Sequence, residues 1–160
     1  MVAKSGDSLL QYEAIGTLRN DLIPLASVVT PNIPEAETLT GITIVSDDDD
    51  RQAARMIVDM GAKSVVVKGG HREGPATDLY FDGTGLREFV SPRIETVNTH
   101  GTGCTFASAV AAGLAKGFET EHAIEEAKEF VTEAIRQSFT IGQGHGPLNH
   151  FHGQWGERTI

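Results

Sequence analysis

The sequence is poor in cysteine and in aromatic residues: its 160 residues include one cysteine, Cys104, and only 6% are aromatic. A single thiol cannot form an internal disulfide, and the opening stretch MVAKSGDSLLQYE lacks the apolar run of a secretion signal. We therefore predict a reducing, cytoplasmic location. No apolar stretch approaches the roughly 18 residues that a membrane span needs, so we predict a soluble protein with no membrane partner.

Basic residues are also scarce. Lysine and arginine number 13 against 22 aspartate and glutamate residues, which gives a net charge of −9. The basic side chains do not cluster, so no surface is predicted to neutralise a nucleic-acid backbone, and we predict no nucleic-acid partner. The length predicts a single domain over residues 1–160.

What is present is a regular alternation of helical and strand patterns. Strands are predicted over the stretches ASVVTPN (26–32) and KSVVVK (63–68), and a hairpin over residues 77–90 that turns at Asp82–Gly85. Helices are predicted over 8–23, ending before Pro24; over 34–41; from a cap at Ser46 or Asp47 to Gly61; over 102–116; and over 121–139 with Thr120 as cap. A strand, a helix and a second strand in this order predict a right-handed parallel crossover, hence an α/β fold.

The motif Gly101-Thr102-Gly103-Cys104 stands between a glycine turn and a helix of small residues. Its unpaired amides and the positive end of the helix dipole predict an anion site, to which the Thr102 hydroxyl adds a donor. The same field favours a reactive Cys104 thiolate that could accept a proton from a substrate hydroxyl. The alternative is that Cys104 is a small buried apolar residue. We expect the helix to be buried close to the sheet, because it is apolar on nearly every side.

Two other strand ends carry candidate ligands, since ligands of open parallel sheets collect at the carboxyl ends of the strands. Asn32 and Glu35 could hold a hydrated Mg²⁺, or they could be an N-cap and an ordinary surface glutamate. Lys68 could neutralise a polyphosphate, or it could be a solvated lysine at a strand end. Together these groups form a set suited to phosphoryl transfer.

Three weaker patterns remain open. The run Asp47–Asp50 could bind a divalent ion, but it suits the start of a helix as it stands. His145, His150 and His152 have a spacing that can bind zinc, yet no cysteine or carboxylate accompanies them. His71 and His100 flank the proposed phosphate site, where each could bind phosphate or orient its own loop.

Several segments together resemble the hydroxymethylpyrimidine/phosphomethylpyrimidine kinase family of thiamine biosynthesis, within the ribokinase-like superfamily. They are MVAKSG, VTPNIPEAETLTG, VVVKGGH, PRIETVNTHGTGCTFASAVAAGLAKG and GHGPLNHF. The resemblance covers nearly the whole chain. It implies a central, mostly parallel sheet with flanking helices, and a homodimer.

The resemblance also implies the reaction and its residues. ATP, with Mg²⁺, would phosphorylate 4-amino-5-hydroxymethyl-2-methylpyrimidine and then its monophosphate. Cys104 would be the base, and Gly101, Thr102 and Gly103 would form the anion hole. Lys68 would bind the ATP phosphates, while Asn32 and Glu35 match the Mg²⁺-associated motif.

The sequence departs from this family at its start, because members carry a long segment before the stretch MVAKSG. We therefore expect the N-terminal part of the fold to be missing, so that the chain holds the nucleotide-binding portion and lacks most pyrimidine contacts. On that expectation the chain alone binds nucleotide weakly and turns over little substrate. The alternatives are a pyridoxal kinase of the same superfamily and a non-catalytic nucleotide-binding fragment.

Overall fold

The structure is a computed structural model, and it describes residues 12–70 and 74–153. These residues form two compact units divided between Val90 and Ser91, here called the N-terminal unit and the C-terminal unit. The single domain predicted for residues 1–160 stays a prediction. The first four residues of the predicted helix 8–23 and the candidate His71 lie outside the described residues.

The N-terminal unit begins with a helical segment that changes its pitch twice. Helix α1 (Tyr12–Thr17) continues as a π-helical turn over Leu18–Leu22 and a 3₁₀ turn over Ile23–Leu25. The prediction that this segment ends before Pro24 is therefore wrong. Proline lacks only an N–H that the first turn of a helix leaves unpaired, so a new helical turn tolerates it.

Two further helices in this unit begin with matching caps. Helix α2 (Ile33–Thr40) follows Asn32 and ends at Gly41, which has a φ of 78°, and helix α3 (Asp47–Asp59) follows Ser46. In each helix the capping side chain accepts a hydrogen bond from the amide three residues later, and the acidic residue there accepts one from the capping residue's amide. Both helices confirm the sequence prediction. Met60 caps the end of α3, one residue before the predicted Gly61.

The sheet of this unit contains three strands in the order β1 (Val65–Lys68), β2 (Ala76–Phe81) and β3 (Leu86–Ser91). Strand β1 pairs antiparallel with β2, and β2 and β3 form the predicted hairpin. The predicted strand 26–32 is reduced to two isolated parallel bridges, which join Val29 to Val65 and Asn32 to Lys68. Proline at position 31 has no N–H for a longer ladder.

The core of the N-terminal unit lies under this sheet, where the three valines of β1 are almost fully buried. The buried apolar cluster contains Val65 and Val67 together with residues of the 3₁₀ turn, α2, α3, their flanking loops and β2: Ile23, Ala36, Leu39, Ile44, Ala53, Ala54, Ile57, Ala62 and Leu79. Because strand and helix periodicities both direct their apolar residues into one cluster, α3 is held firmly against the sheet.

The C-terminal unit is built on two packed helices, α4 (Thr102–Ala115) and α5 (Thr120–Arg136). A Cβ placed on Gly113 of α4 would come 2.9 Å from the Cβ of Ala123 in α5, so glycine permits their close approach. Two predicted bounds of α5 are wrong: Glu119 is the N-cap and not Thr120, and the helix ends at Arg136 and not at Phe139. The apolar stripe stops there, since Phe139 is exposed.

We expected α4 to be buried because it is apolar on nearly every side, but most of its residues are not buried. Only Thr105, Phe106, Val110 and Gly113 are buried. A helix of small side chains is apolar all round, but its residues are buried only where another element packs against it. In α4 that element is α5, which covers a single face. In the part of the chain that the structure describes, no helix combines the length and apolar character needed to cross a bilayer.

Candidate active site

The turn before α4 has the glycine conformation that the sequence predicts, but the Thr102 amide donates to the Thr99 carbonyl at 3.4 Å. Gly101 is the N-cap with a φ of 85°, in the left-handed region that favours glycine. Because Gly101 has no side chain, it gives no side-chain hydrogen bond to the first-turn amides of α4. The Thr102 hydroxyl, however, donates to the carbonyl of Thr99 at 2.8 Å, so its proton points back into the turn and not outward as we expected.

Cys104 lies in the first turn of α4, and its side chain is exposed. The alternative interpretation, a buried apolar cysteine, is therefore wrong. Cys104 lines one end of a groove of about 670 Å³ between α4 and α5. Gly101, Thr105 and His150 lie at the same end of that groove, and Lys116 and Phe118 lie at the other. The thiol is open to molecules in solution.

The loop that follows α5, here called the C-terminal loop (137–153), contacts the segment before α4 through the backbone of His100 and through Asn98, which the sequence did not single out. Asn98 accepts a hydrogen bond from the Gly146 amide at 3.1 Å and donates to Thr140 at 3.2 Å. The amide of His100 donates to the Gly146 carbonyl at 3.3 Å. Asn98 and Gly146 are both buried. Glycines clustered at 142, 144 and 146 were the available signal, because close approach of two backbones often requires glycine.

In the N-terminal unit, Asn32 and Glu35 form the cap of α2. Asn32 Oδ1 accepts from the Glu35 amide at 2.8 Å, and Glu35 Oε2 accepts from the Asn32 amide at 2.9 Å. The N-cap alternative is thus confirmed for Asn32. Both side chains still present oxygen donors, the type that Mg²⁺ prefers, and a magnesium site commonly needs only one or two carboxylates besides substrate phosphates. The residues fit the metal chemically, and the cap fixes their positions.

Lys68 ends β1 directly beside Asn32. The Lys68 amide donates to the Pro31 carbonyl at 2.9 Å, and Lys68 forms a parallel bridge with Asn32. This confirms that the strand ends carrying Asn32 and Lys68 meet at one edge. Across the sheet, Lys68 is in register with Asp78, a buried acid that also accepts from the Gly69 amide at 3.1 Å. The sequence did not predict the position of Asp78 beside Lys68, because a single acidic residue in a strand has no distinct sequence pattern.

The remaining polar patterns have structural partners. In the acidic run, Asp49 completes the cap at Ser46, and Asp48 pairs with Arg51 at 3.0 Å. The three histidines of the C-terminal loop make separate contacts: His145 with the Val97 carbonyl, His150 with Thr105, and His152 with the ring of Phe130. Over residues 12–70 and 74–153 no group of three or more His, Cys, Asp or Glu residues is arranged to hold a metal ion.

Comparison with known proteins decides the family. The sequence profile of the phosphomethylpyrimidine kinase family matches residues 1–149. This chain belongs to that family. The hydroxymethylpyrimidine/phosphomethylpyrimidine kinase of Bacillus subtilis is 52% identical over 153 residues, which are 94% of this chain and 56% of the relative. The chain therefore spans little more than half the length of the curated relatives it matches.

Solved structures agree on the fold. The pyridoxal kinase of Staphylococcus aureus in complex with AMP-PCP superposes with a TM-score of 0.90 at 34% identity, covering 98% of this chain and 58% of that one. An ADP complex of Bacillus subtilis pyridoxal kinase gives a TM-score of 0.87 at 42% identity, covering 91% of this chain and 58% of that one. The chain thus has a ribokinase-like α/β fold.

Proposed function

We propose that this chain supplies the nucleotide-binding and proton-accepting portion of a kinase for 4-amino-5-hydroxymethyl-2-methylpyrimidine and its monophosphate. The observation that carries the proposal is the start of α4: a left-handed glycine without a capping side chain, followed within one turn by an exposed thiol. Family membership supports the choice of substrate, because three relatives of 52%, 50% and 46% identity bear the name of this kinase.

In the proposed reaction the substrate oxygen attacks the γ-phosphorus of ATP, and the bond to the bridging oxygen of ADP breaks. Cys104, as thiolate, accepts the proton that the hydroxymethyl group loses. The first-turn amides at Gly101–Gly103 bind the charged phosphoryl oxygens, an interaction that strengthens as charge builds up. Lys68 binds the phosphates of ATP. Asn32 and Glu35 would hold Mg²⁺, which when bound neutralises phosphate charge.

A chimera tests the complete activity. In it, this chain replaces the matched part of the Bacillus subtilis kinase, and the transfer of phosphate from ATP to the pyrimidine is followed by ³¹P NMR. We expect turnover by the chimera and a fall of about 10²- to 10⁴-fold in kcat for Cys104→Ala, the usual contribution of a general base. Ser108→Ala, on the same groove of α4, is the matched control and should keep its kcat. Full activity of Cys104→Ala would refute the assignment.

Pyridoxal is the second candidate substrate, because the two superposed structures are pyridoxal kinases. Comparing kcat/KM of the chimera for pyridoxal and for the pyrimidine separates the two. We expect a higher kcat/KM for the pyrimidine. A higher kcat/KM for pyridoxal would mean that this chain is a portion of a pyridoxal kinase.

The 160-residue chain by itself tests the third possibility, a nucleotide-binding fragment without turnover. Isothermal titration with ADP should show weak binding, and phosphate transfer to the pyrimidine should be at background level. Robust turnover by the chain alone would contradict this expectation. We further infer a cytoplasmic, homodimeric enzyme, and sedimentation of the chimera measures the oligomeric state.

A further inference from the structure

A chain of two hydrogen bonds joins the C-terminal loop to the glycine turn of the candidate site. Thr105 Oγ1 lies 2.8 Å from the Gly101 carbonyl oxygen and 2.8 Å from His150 Nε2. Thr105 is buried, and 45 residues separate it from His150 in the sequence. The contact is therefore tertiary and not a consequence of helix geometry.

The direction of these bonds follows from the number of protons. A threonine hydroxyl carries one hydrogen, and a carbonyl oxygen can only accept. The hydroxyl must therefore donate to Gly101, which leaves its lone pairs facing His150. His150 Nε2 must then carry a hydrogen and donate it to Thr105. We propose that His150, as its Nε2–H tautomer, is a positioning residue that fixes the glycine turn through Thr105; its effect on ligands rests on the function proposed above.

The carbonyl of Gly101 matters because it controls the next amide. It accepts both the Thr105 amide, at 2.9 Å, and the Thr105 hydroxyl. A peptide group is planar, so holding the Gly101 oxygen also fixes the direction of the Thr102 N–H on the opposite side of the same plane. That amide donates to the Thr99 carbonyl at 3.4 Å in this structure, and it is one of those proposed to bind phosphoryl oxygens. Left-handed glycine has wide conformational freedom, which this double contact restricts.

The loop can hold His150 in place because it is itself anchored. The Asn149 amide donates to the Ala134 carbonyl in the last turns of α5 at 3.0 Å, and Leu148 is buried. A Cβ on Gly146 would overlap the side-chain oxygen of Asn98. The loop therefore lies directly against the segment that leads into the turn, and His150 follows immediately.

The first test reads the tautomer directly. Long-range ¹H–¹⁵N spectra of the labelled chain at pH 8, where imidazoles are neutral, should show His150 protonated at Nε2 and unprotonated at Nδ1. A neutral ring protonated at Nδ1, or one that averages between both forms, would overturn the proposal. This measurement does not depend on any ligand.

The second test uses variants and local backbone signals. His150→Ala should shift the amide signals of residues 99–105, and His150→Gln, which retains an N–H donor, should restore them. Thr105→Val should cause the same shifts, and adding His150→Ala to it should change little more, since coupled residues are not additive. His122→Ala, another exposed histidine of this unit, is the control. Unchanged signals at 99–105 in His150→Ala would contradict the proposal.

The third test links the turn to ligand binding. ADP affinity should fall about five-fold in His150→Ala, the usual effect of one hydrogen bond, and recover in His150→Gln. Equal affinity in wild type and His150→Ala would overturn the role in binding. If the wild-type chain binds no ADP, the proposed function fails at that step, whereas the tautomer and the amide shifts still decide the role of His150 at the turn.

Discussion

The starts of the helices differ between the two units of the molecule. In the N-terminal unit, α2 and α3 each begin with a reciprocal cap, in which two side chains satisfy backbone amides. In the C-terminal unit, α4 begins at Gly101, which has no side chain. Its carbonyl accepts a hydrogen bond from the Thr105 hydroxyl, which in turn contacts His150. Capped helix ends are closed to ligands, whereas the start of α4 leaves its first-turn amides uncapped by Gly101. Helix α5 also lacks a side-chain cap, but Glu119 and Glu121 at its start disfavour an anion, so α4 has the helix start suited to bind one.

The largest effect is expected from breaking the glycine turn. Gly101→Val places a β-branched residue at a φ of 85°, which should cost about 1–3 kcal/mol in backbone strain and remove ADP binding. The matched control is Gly142→Val, since Gly142 has a φ of 71° and open space around its Cα. Urea unfolding should show similar destabilisation in both variants, while an ADP titration should show lost binding in Gly101→Val alone. Retained binding in Gly101→Val would show that the turn is not the anion site.

The next effect is expected from removing a cap in the N-terminal unit. Asn32→Ala eliminates the side-chain acceptor for the Glu35 amide and should lower the free energy of unfolding by about 1 kcal/mol. Asn32→Asp, which keeps the acceptor, should remain close to wild type. Urea denaturation measures both, and equal stability of Asn32→Ala and wild type would mean that the cap contributes nothing.

A smaller loss is expected at the cap of α3, because Ser46 is exposed and water can replace the hydrogen bonds that its side chain makes. Ser46→Ala should destabilise by roughly 0.5 kcal/mol, the lower end of the range for caps. Ser46→Asn provides the control that retains an acceptor. If Ser46→Ala cost more than Asn32→Ala, burial would not be what distinguishes the two caps.

The smallest effect concerns pH and the hairpin turn, a third place in the N-terminal unit where a side chain binds amides. Hydrogen bonds from the amides of Gly85 and Thr84, and then from the Thr84 hydroxyl, hold the pKa of Asp82 below its ordinary value of 3.8. A lowered folded-state pKa gives stability that is present above pH 3.8 and is lost as the pH falls through the folded-state value.

The stability of Asp82→Ala should therefore fall slightly less than that of the wild type as the pH is lowered. Thermal unfolding of both proteins between pH 2 and pH 6 measures the difference, and the two curves should converge at low pH. Curves that stay parallel over that range would show that the Asp82 carboxylate does not contribute through these bonds. Because Asp82 is only partly buried, we expect solvent to weaken the effect.

Local chemistry explains why most elements could be predicted from the sequence. Asn32 and Ser46 mark helix starts because their side chains accept from nearby amides, and the Asp82–Gly85 turn marks the hairpin. Such signals extend over only three or four residues. They therefore located α2, α3 and the hairpin, together with the glycine turn and its cysteine, without any knowledge of the fold.

Contacts between distant residues decided what the sequence left open. The strand expected at 26–32 forms only two bridges, and α4, expected to be buried close to the sheet, exposes Cys104. Likewise, nothing in the local pattern joins His150 to Thr105 or Asn98 to Gly146. The physical reason is that burial and long-range hydrogen bonds depend on which surfaces meet after folding, whereas caps and turns depend only on neighbours along the chain.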